Sequence, residues 1–374
     1  AYGTGFRTNS TFGRQQFYAT SSSDLIGAGT ISRNLSSNFP ENLNTIGLEE
    51  ACEAATTLNP NWVIRSRTAI PDQNLSFFLT DKKKVKQYTI GQIAYVSYSY
   101  FNDQVTMKND HYGIYNQLDH ESSYNKQYVD TQYITNVKTA AAYTISLVDY
   151  NGNKISFKNL FQNIGNDLLM LRGGHNYSNG YIEKSQSFLY RNRLTYASQI
   201  VGNHNLKRDT NSLNWTIGYC YARNNEPDRR IMDARMDQNE SSPYYGQYKS
   251  MDNDIRRYFQ KLNEHAVSGS LDYEHKLFFH RFTPSFKTGI YSEYKHRNFN
   301  ARNFTYKKGL HYQLPENYFY LPYEDMMDEQ YLHPDGFFLV ENTGKADSYQ
   351  SSNTINAAYF LVNLPFFGFT LNGG

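Results

Sequence analysis

The sequence predicts an all-β chain, a transmembrane antiparallel up-and-down β-barrel segment covering residues 1–374. Three observations carry this reading: apolar residues recur at every second position, tight turns alternate with long connections, and one alternating run far exceeds a soluble strand. Residues 140–161, AAAYTISLVDYNGNKISFKNLF, show the unit. Ala141, Tyr143, Ile145, Leu147, Ile155, Phe157 and Phe161 occupy odd positions, Thr144, Ser146, Ser156 and Lys158 even ones, and Asn-Gly sits at the reversal. That is a strand–turn–strand with one apolar and one polar face. A two-residue Asn151-Gly152 turn would set Leu147 opposite Ser156 and mix the faces, so an odd loop is required. A loop of Asn151–Asn153 is expected, with one residue at positive φ, pairing Leu147 with Phe157 and Tyr143 with Phe161.

The pattern recurs at Phe188, Tyr190, Leu194, Tyr196 and Ile200, at Leu213, Trp215, Ile217, Tyr219 and Tyr221, and at Val267, Leu271 and Tyr273. Ile355, Ala357, Tyr359 and Leu361 share a face near the C-terminus, while Lys138, Arg191, Arg193 and Glu274 point away from the apolar side of their strands. Short connections fall near 81–85, 151–153, 203–211, 277–282 and 364–368, and long ones near 20–60, 107–128, 166–180, 225–256 and 307–348. Strict alternation of the two classes is the signature of a membrane barrel, with turns on one side and loops on the other. The run from Tyr133 to Leu147 covers roughly 50 Å at ~3.3 Å per residue, enough to cross a ~25 Å apolar band when tilted and still project beyond it. About ten strands are expected, with an eleventh beginning at Phe369. LEEACEAATT at 48–57 is the one helical pattern.

Composition narrows the partners. The 37 basic and 35 acidic side chains leave a formal charge of +2, which gives no footing for nucleic acid. Mean hydropathy is −0.71, and no run approaches the ~20 apolar residues of a spanning helix, whereas a barrel strand needs only alternate apolar positions. The 34 Tyr and 24 Phe against 2 Trp suit surfaces that are half wet and half apolar. Cys52 and Cys220 are too few for a disulfide framework and are expected to be free thiols. The opening AYGTGFRTNS has neither the basic start nor the apolar run of a signal peptide, so a mature or truncated chain is expected. Ten strands in lipid cannot remain an open sheet, because both edges would carry unpaired backbone groups. FTLNGG stops within a rising strand, so a larger barrel is expected.

Several segments resemble the barrel of TonB-dependent outer-membrane receptors of the Bacteroidetes type, the group with a carboxypeptidase-regulatory-like domain before the plug. They are SDLIGAGTISRNLSSNFP (23–40), NWVIRSRTAIPDQNLSF (61–77), ISFKNLFQNIGNDLLMLRGG (155–174), QIVGNHNL (199–206) followed by LNWTIGYCYARNNEPDRR (213–230), and INAAYFLVNLPFFGFTLNGG (355–374). The resemblance covers nearly the whole chain in motif order. It implies roughly the first half of a 22-stranded barrel in the bacterial outer membrane, with extracellular loops. It also implies uptake of a bulky nutrient driven by a TonB-type energy-transducing system through a plug outside this chain. A surface lipoprotein or other outer-membrane protein is a further possible partner. The rival readings are a structural or accessory barrel in a larger outer-membrane complex, and a small barrel enzyme or secreted β-sandwich adhesin.

Loop aromatics are the candidate ligand contacts: Tyr318, Tyr320 and Tyr323 in YFYLPYEDMMDEQYLHPDG, and Tyr244 and Tyr245 in SSPYYGQY, suited to stacking on a sugar ring or gripping a peptide. Glu226, Pro227, Asp228 and Arg229, from the motif NEPDRR, are expected to be structural, ending a strand in a turn whose ion pairs fix neighbouring loops. Asp110, His111, Asp119, His120 and Glu121 cluster without the spacing of a known metal site, and no metal or cofactor is expected. No nucleophile elbow, P-loop or dinucleotide fingerprint appears, and Gly27-Ala28-Gly29 lacks the strand–helix context, so no catalytic residue is expected.

Overall fold

The computed structural model describes residues 2–9, 14–17, 22–30, 32–118, 120–206, 210–279, 282–309, 311, 313–366 and 369–373. Its strands are β1 (Tyr2–Asn9), β2 (Arg14–Phe17), β3 (Arg65–Thr68), β4 (Gln73–Val85), β5 (Tyr88–Asn116), β6 (Glu121–Asp149), β7 (Lys154–Asn176), β8 (Tyr181–Leu206), β9 (Asn211–Met236), β10 (Tyr248–Lys249), β11 (Ile255–Lys276), β12 (Ser285–Lys308), β13 (Phe337–Glu341), β14 (Tyr349–Phe366) and β15 (Phe369–Gly373). The helices are α1 (Leu48–Thr56), at the one helical pattern in the sequence, and the short α2 (Tyr323–Met326). One large antiparallel sheet runs β5-β6-β7-β8-β9-β11-β12-β14-β15. β4 and β1 pair with different halves of β5 along one edge, β4 with Tyr88–Tyr100 and β1 with Asp103–Asp110. Among the described residues the sheet is up-and-down and open rather than closed into a barrel.

Two expected long loops are strands. β5 and β6 each run 29 residues, to Asn116 and from Glu121, and β7 turns into β8 within 177–180, so most of 107–128 and 166–180 belongs to the ladder. Their apolar alternation fades, which made them read as loops, but backbone pairing needs no apolar face to continue.

The β6–β7 hairpin has the expected odd loop, placed one residue earlier. Asp149 N donates to Asn153 O at 2.9 Å and Gly152 N to Asp149 O at 3.2 Å, leaving Tyr150, Asn151 and Gly152 as the loop. Gly152 sits at φ +82°, the left-handed position of a three-residue loop. The Asp149 carboxylate accepts from Asn151 N and Asn153 N, both at 2.8 Å, which fixes the turn one residue early. Leu147 therefore faces Ile155 rather than Phe157, and Tyr143 faces Asn159 rather than Phe161.

Register assigns the faces. Ile90, Leu147, Ile155, Gly202, Trp215, Leu271, Ile290 and Ala358 are successive cross-strand partners, an apolar row over eight strands. The Trp215 ring lies over Gly202, where a Cβ would come within 2.2 Å of it. Lys138, Arg191, Arg193 and Glu274 fall on the other face, as do Ile355, Ala357, Tyr359 and Leu361. A second row on the apolar face, Tyr133, Leu169, Phe188, Arg230, Arg257 and Phe304, lies fourteen positions further along β6 (Leu147 to Tyr133). Here the face is covered. Residues 35–64 and 314–339 pack on it, burying Phe39, Leu43, Leu58, Trp62, Tyr318, Met326 and Phe337 against Leu169, Phe188, Met232, Ile255 and Phe304. Cys52, in α1, is buried and Cys220 half-buried, both free; burial, with Glu49 beside it, pushes the Cys52 thiol up to about 11, leaving an inert packed thiol.

Candidate functional site

NEPDRR lies inside β9 rather than at its end. The register shifts between Phe188 and Asn192 of β8 and between Tyr258 and Gln260 of β11, so β9 carries one extra residue there. Asp228 adopts φ +55°. Pro227 cannot donate to a ladder, and a bulge is where a strand tolerates it. The extra residue also changes parity: Ile217 and Tyr219 share a face with Arg230 and Met232, which an unbroken strand would have sent to the opposite side.

The bulge thereby buries a charge cluster. Asp228 Oδ2 accepts from Arg230 and Arg257 at 2.6 Å each, and all three side chains are almost wholly inaccessible. Arg230 Nη2 and Arg257 Nη2 both donate to Asn59 O at 3.0 Å, Arg230 also donates to Asn61 O, and the Trp62 ring lies 4.5 Å and 5.3 Å from the two guanidinium carbons. Burial alone would raise the Asp228 carboxyl, but the two arginines outweigh it and hold it below the usual range. Glu226 pairs with Arg191 at 2.5 Å, and Arg229 falls on the opposite face. The pairs of Asp228 with Arg230 and Arg257 hold the start of 59–64, whereas the Glu226–Arg191 pair lies on the other face of the sheet.

A second anchor uses the same chemistry. Arg302 holds Glu341 in a two-point pair (2.9 and 2.7 Å) and donates to Pro40 O at 2.8 Å, while Glu341 accepts from Leu43 N at 2.9 Å. A third uses amide side chains: Asn163 and Asn192 donate to Gly27 O at 2.9 and 2.7 Å. Gly27 has φ +74°, and a Cβ on Gly165 would lie 2.6 Å from Gly27 Cα, so both positions require glycine for the chain to approach the sheet.

Beside the first anchor, Trp62, Val63, Ile64, Lys184, Gln186, Tyr248, Tyr320, Tyr323 and Glu324 are among the residues that line a cleft of about 390 Å³. Two of the loop tyrosines picked from sequence line it directly. Tyr320 stacks on Tyr244 (centroids 4.3 Å, planes 18° apart), and its hydroxyl donates to Asp237 at 2.8 Å. The Tyr323 hydroxyl accepts from Ser250 at 3.3 Å. Burial pushes both phenols up to about 12, so they stay protonated. Tyr245 is exposed beside this group. Tyr318 is placed elsewhere: it is fully buried, donates to Met326 O at 2.6 Å, and packs on Phe337 and Tyr331. Lys184 was not singled out from sequence; it arrives on β8, its ammonium 4.3 Å from the Tyr248 centroid and lowered by burial. Nothing local marks it, because its role comes from the loop that folds over it. Aromatic faces with one ammonium, one carboxylate and several hydroxyls suit a sugar or a short peptide. Asp110, His111, His120 and Glu121 flank the β5–β6 turn, with Asp119 outside the described residues, and no group of three metal ligands gathers among the described residues.

No protein-family model matches the chain, and comparisons with curated proteins and with solved structures return no significant match.

Proposed function

We propose that the chain forms part of the wall of a bacterial outer-membrane barrel of the TonB-dependent receptor kind, taking up a bulky nutrient captured by its loops. The observation that carries the reading is the bare apolar row. Ile217 and Ile290 are each 58% exposed and Leu271 43%, in a band crossing successive strands, whereas the same face further up is covered by the chain's own connections. A contiguous bare band of this kind needs a non-aqueous partner, and long antiparallel strands with alternating faces suit lipid. In lipid the open edges at β4 and β15 need further strands, so the reading includes additional barrel strands and a plug linked to a TonB-type system. The cleft at Trp62, Tyr320 and Tyr323 then sits on the loop side, where ligand arrives.

Fractionation tests it. The protein is expected in the outer-membrane pellet after alkaline carbonate washing, and in detergent at a mass of twice 43.4 kDa or more. Release into the wash without detergent would overturn the membrane reading. A detergent mass near 43.4 kDa would overturn the larger barrel and leave a small one.

A further inference from the structure

A second cavity, of about 210 Å³, lies where the turn at Ser22–Ile26 meets the apolar face of the sheet. It is lined by Asp24, Leu25, Arg67, Tyr100, Thr135, Val137, Asp167 and Tyr190 among others. It is in the covered half and is independent of the membrane reading. Its charges are unequally satisfied. Asp24 is held by Arg33 through two contacts, 2.7 and 3.0 Å. Arg67 gives one Nη2 hydrogen to the Tyr100 hydroxyl at 3.0 Å and lies over Phe17 at 4.7 Å. The Asp167 carboxylate makes no hydrogen bond or ion pair among the described residues.

Arg67 and Asp167 border the same cavity without forming an ion pair within 4 Å, although Arg67 is close enough to act on the Asp167 carboxylate. Two opposite charges that share a small cavity and do not meet leave a gap for a molecule carrying both complementary charges. At ~30 Å³ per water the space holds roughly seven waters, or one small organic molecule. Leu25, Val137 and the Tyr100 and Tyr190 rings supply an apolar wall for a short side chain.

We propose that this cavity binds an amino-acid-sized zwitterion, its ammonium on Asp167 and its carboxylate on Arg67. Charge-assisted contacts of both signs give the selectivity: an amine alone or an acid alone leaves one half-buried charge unmatched.

Burial raises the Asp167 carboxyl to about 7, opposed by Arg33 and Arg67 and reinforced by Asp24. The Tyr100 and Tyr190 side chains line the same cavity from β5 and β8, and burial pushes the Tyr190 phenol up to about 12, so it stays neutral across this range. An ammonium needs the ionised carboxylate, so binding strengthens as pH rises from 6 to 8, about tenfold for a single group titrating near 7.

The test is calorimetric titration of the detergent-solubilised full protein with glycine, L-alanine, L-serine, L-valine and L-leucine, with isobutylamine and isovalerate as single-charge controls. At least one amino acid is expected to bind saturably, more than tenfold tighter than either control, and tighter at pH 8 than at pH 6. Asp167→Asn and Arg67→Gln are each expected to weaken it tenfold or more, with unchanged circular dichroism. Absence of saturable binding by all five up to 10 mM at pH 8 in the unsubstituted protein overturns the proposal, and so does binding that neither substitution nor pH alters.

Discussion

Two rows of side chains on one face of the sheet, fourteen residues apart on β6, meet opposite fates. Leu147, Ile155, Leu271 and Ile290 are exposed among the described residues, while Leu169, Phe188, Arg230, Arg257 and Phe304 are sealed beneath residues 35–64 and 314–339. The bare row contains no charge, and the covered row contains two arginines. A chain that covers its own surface can supply a carboxylate and backbone carbonyls to a buried guanidinium, as Asp228 and Asn59 do. On the proposed membrane reading the bare row faces lipid, which offers no such supply, so charge there is costly. The difference locates the boundary between a half of the face organised by polar anchors and a half organised by apolar bulk.

The largest expected effect is at the covered row. Asp228→Ala leaves Arg230 and Arg257 buried without their carboxylate, a loss of ~3–5 kcal/mol by the usual scale for one partner of a buried pair. Residues 59–62 should lift, and chymotrypsin should then cut at Trp62, which is 3% exposed in the intact protein. Resistance equal to the unsubstituted protein would show that the cluster is not what docks the segment. The same pair sets an acid limit. The folded Asp228 carboxyl lies below its ordinary value, so its contribution is complete above the unfolded value of ~3.9 and is lost as pH falls through the lowered one. Chymotrypsin sensitivity measured after brief acid exposure should therefore appear only below about pH 4.

The bare row gives the next effect. Leu271→Arg is expected to cost ~2–4 kcal/mol and to reduce the amount assembled in the membrane, whereas Ser270→Arg, on the polar face one residue away, is expected to be tolerated. Equal behaviour of the two would erase the distinction between the faces. The smallest effect is on the polar face, where Arg297 pairs with Glu264 with the arginine 44% exposed. Glu264→Gln should change stability by no more than ~1 kcal/mol, read by urea unfolding.

Much of the bare half was legible from the sequence. Period-two alternation marks its strands, and the parity of its apolar positions on either side of Asn151-Gly152 by itself requires an odd loop. The placement of that loop was not legible, because the Asp149 carboxylate, rather than the Asn-Gly pair alone, sets it. The covered half was harder. FNDQVTMKNDHYGIYN at 101–116 has no apolar stripe, yet it continues β5, since ladder hydrogen bonds do not depend on side-chain hydropathy. Pro227 read as a strand end because a bulge and a turn share the same sequence cue. Among the loop tyrosines, Tyr318 and Tyr320 are two residues apart, and only the fold of 314–339 sends the first into the core and the second to the cleft. Asp167 carried no local signal, because its isolation is created by the approach of Ser22–Ile26.

The most direct measurement is spin-label accessibility along the bare row in the native membrane. On a Cys52→Ala, Cys220→Ser background, nitroxide labels would be placed one at a time at positions 216, 217, 270, 271, 290 and 291. Collision with oxygen is expected to peak at 217, 271 and 290, and collision with a water-soluble nickel chelate at 216, 270 and 291, alternating with the strand period. High nickel-chelate accessibility at 217, 271 and 290 would place that row in water and contradict the account.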